Sequence, residues 1–181
     1  AAVDATGKRG PVVTLATAKG AASSVALAPV DDGLVAAWVD HRDGNGEVYA
    51  VHLTADLRRG VEERITTAPG DAADVTLLHH RDALWAAWSD ARESAAEGLG
   101  DIYLARLAPR TAKRLGEEQR VQATAAHSRS PALATLGDTL VLGWIEEAPS
   151  LVDASTSGSY GTMIAWLDAR GRPAGAPTRF V

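Results

Sequence analysis

The same charged pair stands at matching places in two similar stretches: Asp40 and Arg42 in Trp38-Val39-Asp40-His41-Arg42, and Asp90 and Arg92 in Trp88-Ser89-Asp90-Ala91-Arg92. A carboxylate so placed can accept the backbone N–H groups of a turn, and a guanidinium can pair with it in forked geometry. Catalysis needs unlike groups converging on one place, so repetition favours a structural role for both pairs. Between Asp40 and Glu47 the oxygen-bearing side chains Asp40, Asp43, Asn45 and Glu47 alternate as they would in a calcium loop. The twelve-residue EF-hand pattern is absent, however, and Gly44 and Gly46 fit a tight hairpin equally well. In the second stretch the loop becomes Glu93-Ser94-Ala95-Ala96-Glu97-Gly98-Leu99-Gly100, which weakens a general metal reading. Calcium is therefore the lesser expectation and a plain turn the greater. His79 and His80 are neighbours on an alternating stretch, where adjacent side chains point to opposite faces and cannot readily share a metal.

These residues sit on a repeat. Three stretches share one plan, namely a turn, a strand rich in Val, Leu, Ala and Trp, a polar loop, and a second strand ending in Leu. Strand pairs Leu34–Asp40 with Glu47–Leu53, Leu84–Asp90 with Asp101–Leu107, and Leu140–Glu146 with Thr162–Leu167 follow it. Trp38, Trp88 and Trp144 thus hold one structural position at a period of about 50 to 56 residues, the spacing of propeller blades. Short polar strands and period-2 stretches fill the intervals, and no helical stripe appears. The expected fold is all-β: propeller blades of four antiparallel strands, about three of them, in one partial domain over residues 1–181. The repeats run approximately 3–53, 53–107 and 107–167, with 168–181 starting a further blade. The chain opens with neither an initiator Met nor a signal peptide, as a mature or excised segment would. Propellers use roughly 4–8 blades, so the ring is expected to be completed by another chain or a second copy. Trp166-Leu167-Asp168-Ala169-Arg170 resembles the Trp-x-Asp-x-Arg stretch but falls in a different strand, and it is not a fourth copy.

The stretch Trp38-Val39-Asp40-His41-Arg42-Asp43-Gly44-Asn45-Gly46-Glu47-Val48-Tyr49 resembles secreted bacterial propellers of the sialidase-like (BNR-like) repeat type. Their blades carry a Trp-x-Asp-x-Arg motif followed by Asp-Ile-Tyr. Trp88 to Arg92 with Asp101-Ile102-Tyr103 matches with a longer loop, while the third copy lacks both Arg and Tyr. The resemblance implies a propeller fold that hosts lectins, hydrolases, lyases and scaffolds alike. Were the chain a sialidase-like hydrolase, the resemblance would assign Arg42 and Arg92 to a carboxylate grip, Tyr160 to the nucleophile, Glu146 or Glu147 to its partner and Asp90 to the acid. Both arginines belong to the repeat itself, and no Ser-Asp-x-Gly-x-Thr-Trp box occurs.

Composition narrows the partners. With 23 acidic residues against 18 basic ones, the net charge is −5, and no Lys/Arg run supplies a phosphate-binding patch. Nucleic acid is not expected, nor is a bilayer span, which needs about 20 apolar residues. The absence of cysteine excludes disulfides, thiolate nucleophiles and Cys-ligated zinc. Abundant Ala, and basic residues that are nearly all Arg, read as a GC-rich bacterial genome. The copies diverge most in the loop between their paired strands, which grows from Asp43–Gly46 to Glu93–Gly100 and then to Ala148–Gly161. Long loops on a rigid scaffold carry function, so Glu97, Leu151, Asp153 and Tyr160 are the expected contacts for a protein or glycan ligand. The expectation is a non-catalytic binding or scaffolding propeller without cofactor, secreted or at the bacterial cell surface or periplasm. Alternatives are part of a sialidase-like glycoside hydrolase or lectin, or a structural module of a cell-surface assembly.

Overall fold

The computed structural model describes residues 1–16, 19–94, 97–147 and 160–180. The first sheet is β1 (Ala22–Val30), β2 (Gly33–Asp40), β3 (Glu47–Thr54) and β4 (Arg59–Arg64), in that order. The second repeats it as β5 (Ala72–His80), β6 (Ala83–Asp90), β7 (Asp101–Leu107) and β8 (Arg114–Arg120), and the third as β9 (His127–Leu136), β10 (Thr139–Glu147), β11 (Tyr160–Leu167) and β12 (Thr178–Phe180). All neighbouring pairs are antiparallel. No helix occurs among the described residues, and none is long and apolar enough to cross a membrane. These are propeller blades, and the three indoles fall in register: Trp38 opposite Tyr49, Trp88 opposite Tyr103, Trp144 opposite Met163.

Pairing shifts the blade frame from the one the repeats suggest. The short strands β4, β8 and β12 bond to the strands that precede them, so the sheets span 22–64, 72–120 and 127–180. Residues 168–181 therefore do not start a further blade; Thr178–Phe180 is the fourth strand of the third sheet. The physical reason is the tight turn after each Leu-ending strand, which reverses the chain and leaves no room for a crossover. That turn occurs at 53–59, 107–114 and 167–173, and residues 3–9 repeat it. Each copy needs one left-handed residue, filled by Leu57 (φ 61°), Ala112 (61°), Gly171 (81°) and Gly7 (82°). In two copies an aspartate ties the turn down, Asp4 accepting from the Thr6 and Lys8 N–H groups and Asp168 from those of Arg170 and Arg172. The motif-like Asp168 and Arg170 thus belong to this turn.

Two cores stack the sheets in chain order. In β6 every residue is buried, because both faces are covered. Leu84, Ala86 and Trp88 face the first sheet and meet Val35, Ala37, Val39 and Ile65. Ala83, Trp85 and Ala87 face the third and meet Leu140, Leu142, Trp144 and Met163. The third sheet alternates instead, with β11 running exposed–buried through Trp166 and Leu167. Its outer side carries Trp166 at 42% and Phe180 at 51% exposure. The opposite end of the stack is covered by Val13, Leu15 and Ala16, packed on the face that holds Trp38 and Tyr49.

Candidate functional site

At the end of β2 the chain leaves the core, and Asp40 sits there with 1% of its surface exposed. Such a carboxylate must be neutralised and hydrogen-bonded. It takes the Trp38 indole N–H at 3.2 Å, the Arg42 backbone N–H at 2.9 Å and an Arg42 guanidinium N–H at 2.5 Å. The other guanidinium arm donates to Glu62 on β4 at 2.5 Å. The guanidinium plane then lies 4.2 Å from the centroid of Tyr49, and that ring stacks on Trp38 at 6.2 Å. Five side chains from three adjacent strands lock into one unit.

The second sheet repeats the unit almost atom for atom. Asp90 takes Trp88 at 3.0 Å, the Arg92 backbone N–H at 3.0 Å and its guanidinium at 2.6 Å. Glu118 accepts the other arm, the guanidinium lies 4.1 Å over Tyr103, and Tyr103 stacks on Trp88 at 6.3 Å. In the third sheet the aspartate is Glu146, the tyrosine is Met163 and the arginine is missing together with them. Trp144 stays while aspartate, tyrosine and arginine are lost together, so these three belong to one structural device built on the indole.

Glu62 and Glu118 are the partners that reading the sequence missed; the tyrosines were visible as part of the motif, but not their stacking. The signal was present in the matched spacing of Glu62-Glu63-Arg64-Ile65 and Glu118-Gln119-Arg120-Val121. Fork pairing to Arg42 holds the Asp40 carboxyl below the usual carboxylate range. Burial, reinforced by the hydrogen bond to Asp43, pushes the Tyr49 phenol up to about 12. Burial also raises Tyr103 to about 12, with Glu93 adding to the shift and the Arg92 charge opposing it. Alkaline titration followed by phenolate absorbance should therefore show two phenols that ionise only near pH 12. Because an unfolded phenol titrates near about 10, their stabilisation is full below that pH and is lost as pH rises through the folded value. Ionisation of Tyr49 and Tyr103 near pH 10 would contradict this packing.

The calcium candidates are each engaged elsewhere. Asp43 holds the Tyr49 hydroxyl and Arg64, Asn45 donates to the Ala68 and Gly70 carbonyls, and buried Glu47 takes Arg64 and Thr66. No cluster of three His, Asp or Glu side chains that could hold a metal occurs among the described residues. The set that a sialidase reading would need is dispersed: Arg42 and Arg92 stay in separate sheets, Glu147 lies 3.5 Å from Arg129, and Tyr160 lies under the same arginine. His80 contacts the Asp138 carbonyl, whereas His79 lines a different cleft.

Loops and blade connections meet at one edge of the sheets. The β2–β3 loop bonds to the connection entering the second sheet through Asn45 and through Gly46, which donates to Asp71 and accepts from the Ala72 N–H. In the β6–β7 loop, Gly100 likewise bonds to His127 and Ser128. Glu97 is exposed in that loop, and Tyr160 is 56% exposed where β11 begins. Leu151 and Asp153 lie outside the described residues. Gly70 passes so near the Asp90–Arg92 turn that a Cβ would lie 2.2 Å from the Arg92 nitrogen; at the equivalent Gly20 the closest approach is 3.0 Å. Gly70→Ala is expected to cost about 1–3 kcal/mol and Gly20→Ala less. Equal midpoints for the two variants in chemical denaturation would refute the difference.

No family model matches the chain, and no curated protein matches it in sequence. Among solved structures it is similar to a crystal structure of the GH43_1 enzyme from Xanthomonas citri complexed with xylose, with a TM-score of 0.59 and 13% identity. The match covers 91% of this chain and 56% of that one, so the chain spans little more than half of that protein's length. At that identity the likeness is one of fold. Three four-stranded antiparallel sheets stacked through their indoles, aligned with this enzyme, make the chain a three-blade stretch of β-propeller architecture.

Proposed function

We propose that the chain is a non-catalytic binding and scaffolding segment of an extracytoplasmic bacterial propeller, contacting a protein or glycan through the loop edge. The observation that carries this reading is the commitment of the charged groups there. Asp40, Asp90, Glu47 and Asp101 are all buried and held by Arg42, Arg92, Arg64 and Arg120 within their own sheets. What varies above that fixed base is loop length. Replacing Glu93–Gly100 with the sequence Asp43–Gly46 should abolish binding on a glycan and peptide panel while leaving the thermal midpoint nearly unchanged. Unaltered binding in that variant rejects the loop edge as the contact surface.

The outer side of the third sheet, with Trp166 and Phe180 exposed, supports completion of the ring by another chain or a second copy. If a second copy completes it, light scattering should give a mass above 18.8 kDa, and a monomer at micromolar concentration rejects the second copy. A second reading, part of a glycoside hydrolase, is favoured by the fold likeness to the xylose-bound GH43_1 enzyme. Hydrolysis of aryl xylosides by the purified chain would replace the first reading with the second.

A further inference from the structure

The turn edge, opposite the loops, holds a cleft of about 140 Å³ between the second and third sheets. Its floor is Trp85 on β6 with Arg106 beside it on β7, a directly opposed cross-strand pair. The same two positions hold Val35 and His52 in the first sheet and Val141 and Trp166 in the third. The fold therefore does not require an indole and a guanidinium here, and only the middle blade has them.

Both groups are uncommitted. Trp85 is 3% exposed, yet its buried Nε1–H has no acceptor. Leaving such a donor unpaired costs about 1–3 kcal/mol, and an orphan of this kind calls for an explanation. The indole is also fixed in place: a Cβ on Gly171 would stand 2.5 Å from its ring. Arg106 lies 5.6 Å from the same ring; its buried Nε has no acceptor, as in Arg42 and Arg92, and what sets it apart is its terminal arms. Arg42 and Arg92 each hold two carboxylates, whereas the Arg106 side chain has no hydrogen bond or ion pair among the described residues. Of the acidic groups lining the cleft, Asp138 pairs with Arg81 at 3.3 Å and Asp168 with Arg172 at 3.4 Å. Asp82 alone of the three has no such partner among the described residues.

We infer that this cleft binds a small carboxylate that also carries a hydrogen-bond donor. The carboxylate takes the Arg106 fork, a geometry suited to two parallel N–H···O bonds, and the Trp85 N–H. A hydroxyl or ammonium group of the same molecule donates to Asp82, and its carbon skeleton rests on Leu140 and Leu167. A sugar acid and an α-amino acid both have this chemistry. The site lies on the edge opposite the proposed loop contacts and does not depend on them.

The test is a titration followed through the five tryptophan indole N–H resonances, with that of Trp85 assigned by its loss in Trp85→Phe. Glucuronate, alanine and glucose are the three probes. Glucuronate or alanine is expected to move the Trp85 resonance downfield and saturably in the roughly millimolar range typical of so small a ligand, while glucose leaves it in place. The tighter of the two names the source, hydroxy acid or amino acid. Arg106→Gln is expected to weaken that binding about tenfold or more, the scale of one lost charge-assisted pair, with the other four indole resonances unmoved. Should Arg106→Gln not fold, Arg106→Lys keeps the charge without the fork and is expected to weaken binding several-fold. A Trp85 resonance that neither carboxylate moves, or undiminished affinity in the Arg106 variants, overturns the assignment.

Discussion

Asp90→Ala is expected to destabilise the protein by about 3–5 kcal/mol, the range for removing one partner of a buried ion pair. The deletion strands three donors at once. The indole N–H of Trp88, on a side chain with no exposed surface, loses its acceptor, and the Arg92 fork loses one of its two carboxylates. The Arg92 backbone N–H goes unpaired as well. Asp90→Asn should cost less, because its amide oxygen can still accept from the indole or the turn. Urea unfolding at neutral pH, followed by tryptophan fluorescence, separates the variants. A loss below about 1 kcal/mol for the alanine variant, the range of an exposed ion pair, would mean that the five-residue unit does not support the blade. In the first sheet the same device adds a pH dependence. The Asp40 carboxyl is held below its unfolded value by Arg42, so its contribution is complete above about pH 4 and falls away as pH drops through the folded value.

That unit was half legible from sequence. Trp38, Asp40 and Arg42, repeated as Trp88, Asp90 and Arg92, are close in the chain, and their recurrence pointed to structure. The stacking tyrosines and the second carboxylates, Glu62 and Glu118, come from neighbouring strands. Which strand lies beside which depends on hydrogen-bond pairing, and a repeat pattern is the same wherever the unit is cut. For this reason the blade boundaries were misplaced while the blades themselves were found. Period-2 patterning and the turn signals fix strands and hairpins locally. Assigning β4 to the sheet before it, not to the one after, needs the geometry of the 53–59 turn.

The cleft at Trp85 was less legible still. Trp85 could be read as a second core indole, and it is one: its ring is buried against Leu104 and the third sheet. What the sequence does not carry is that Arg106 lies opposite it and that neither polar group finds a partner. Such an exception emerges only when equivalent positions are compared after the register is known. The partners of the 40–47 loop were hidden for a related reason. Alternating oxygens at Asp40, Asp43, Asn45 and Glu47 are legible, but the arginines that pair with the three carboxylates come from β4 and from the turn itself, and Asn45 donates to the Ala68 and Gly70 carbonyls.

Trp88→Ala should be the most damaging truncation in the chain, at about 3–5 kcal/mol for a fully buried aromatic. Trp88 has no exposed surface and sits in the core that joins the first two sheets, with Val39, Val48 and Ala72 in the same cluster. Its loss opens a cavity between sheets, removes the stack on Tyr103 and frees Asp90 from one donor. The cluster it belongs to holds many small residues, Ala37, Ala50 and Ala86 among them, and such residues cannot extend to fill the space. Trp166→Ala, at an outward position that is 42% exposed, should cost about 1 kcal/mol or less in the isolated chain. Thermal and urea midpoints of the two variants test the contrast. At dilutions that keep the chain monomeric the contrast should be full; a Trp166→Ala cost that grows with protein concentration would mark the outer side of the third sheet as the face a second copy covers, as ring completion requires.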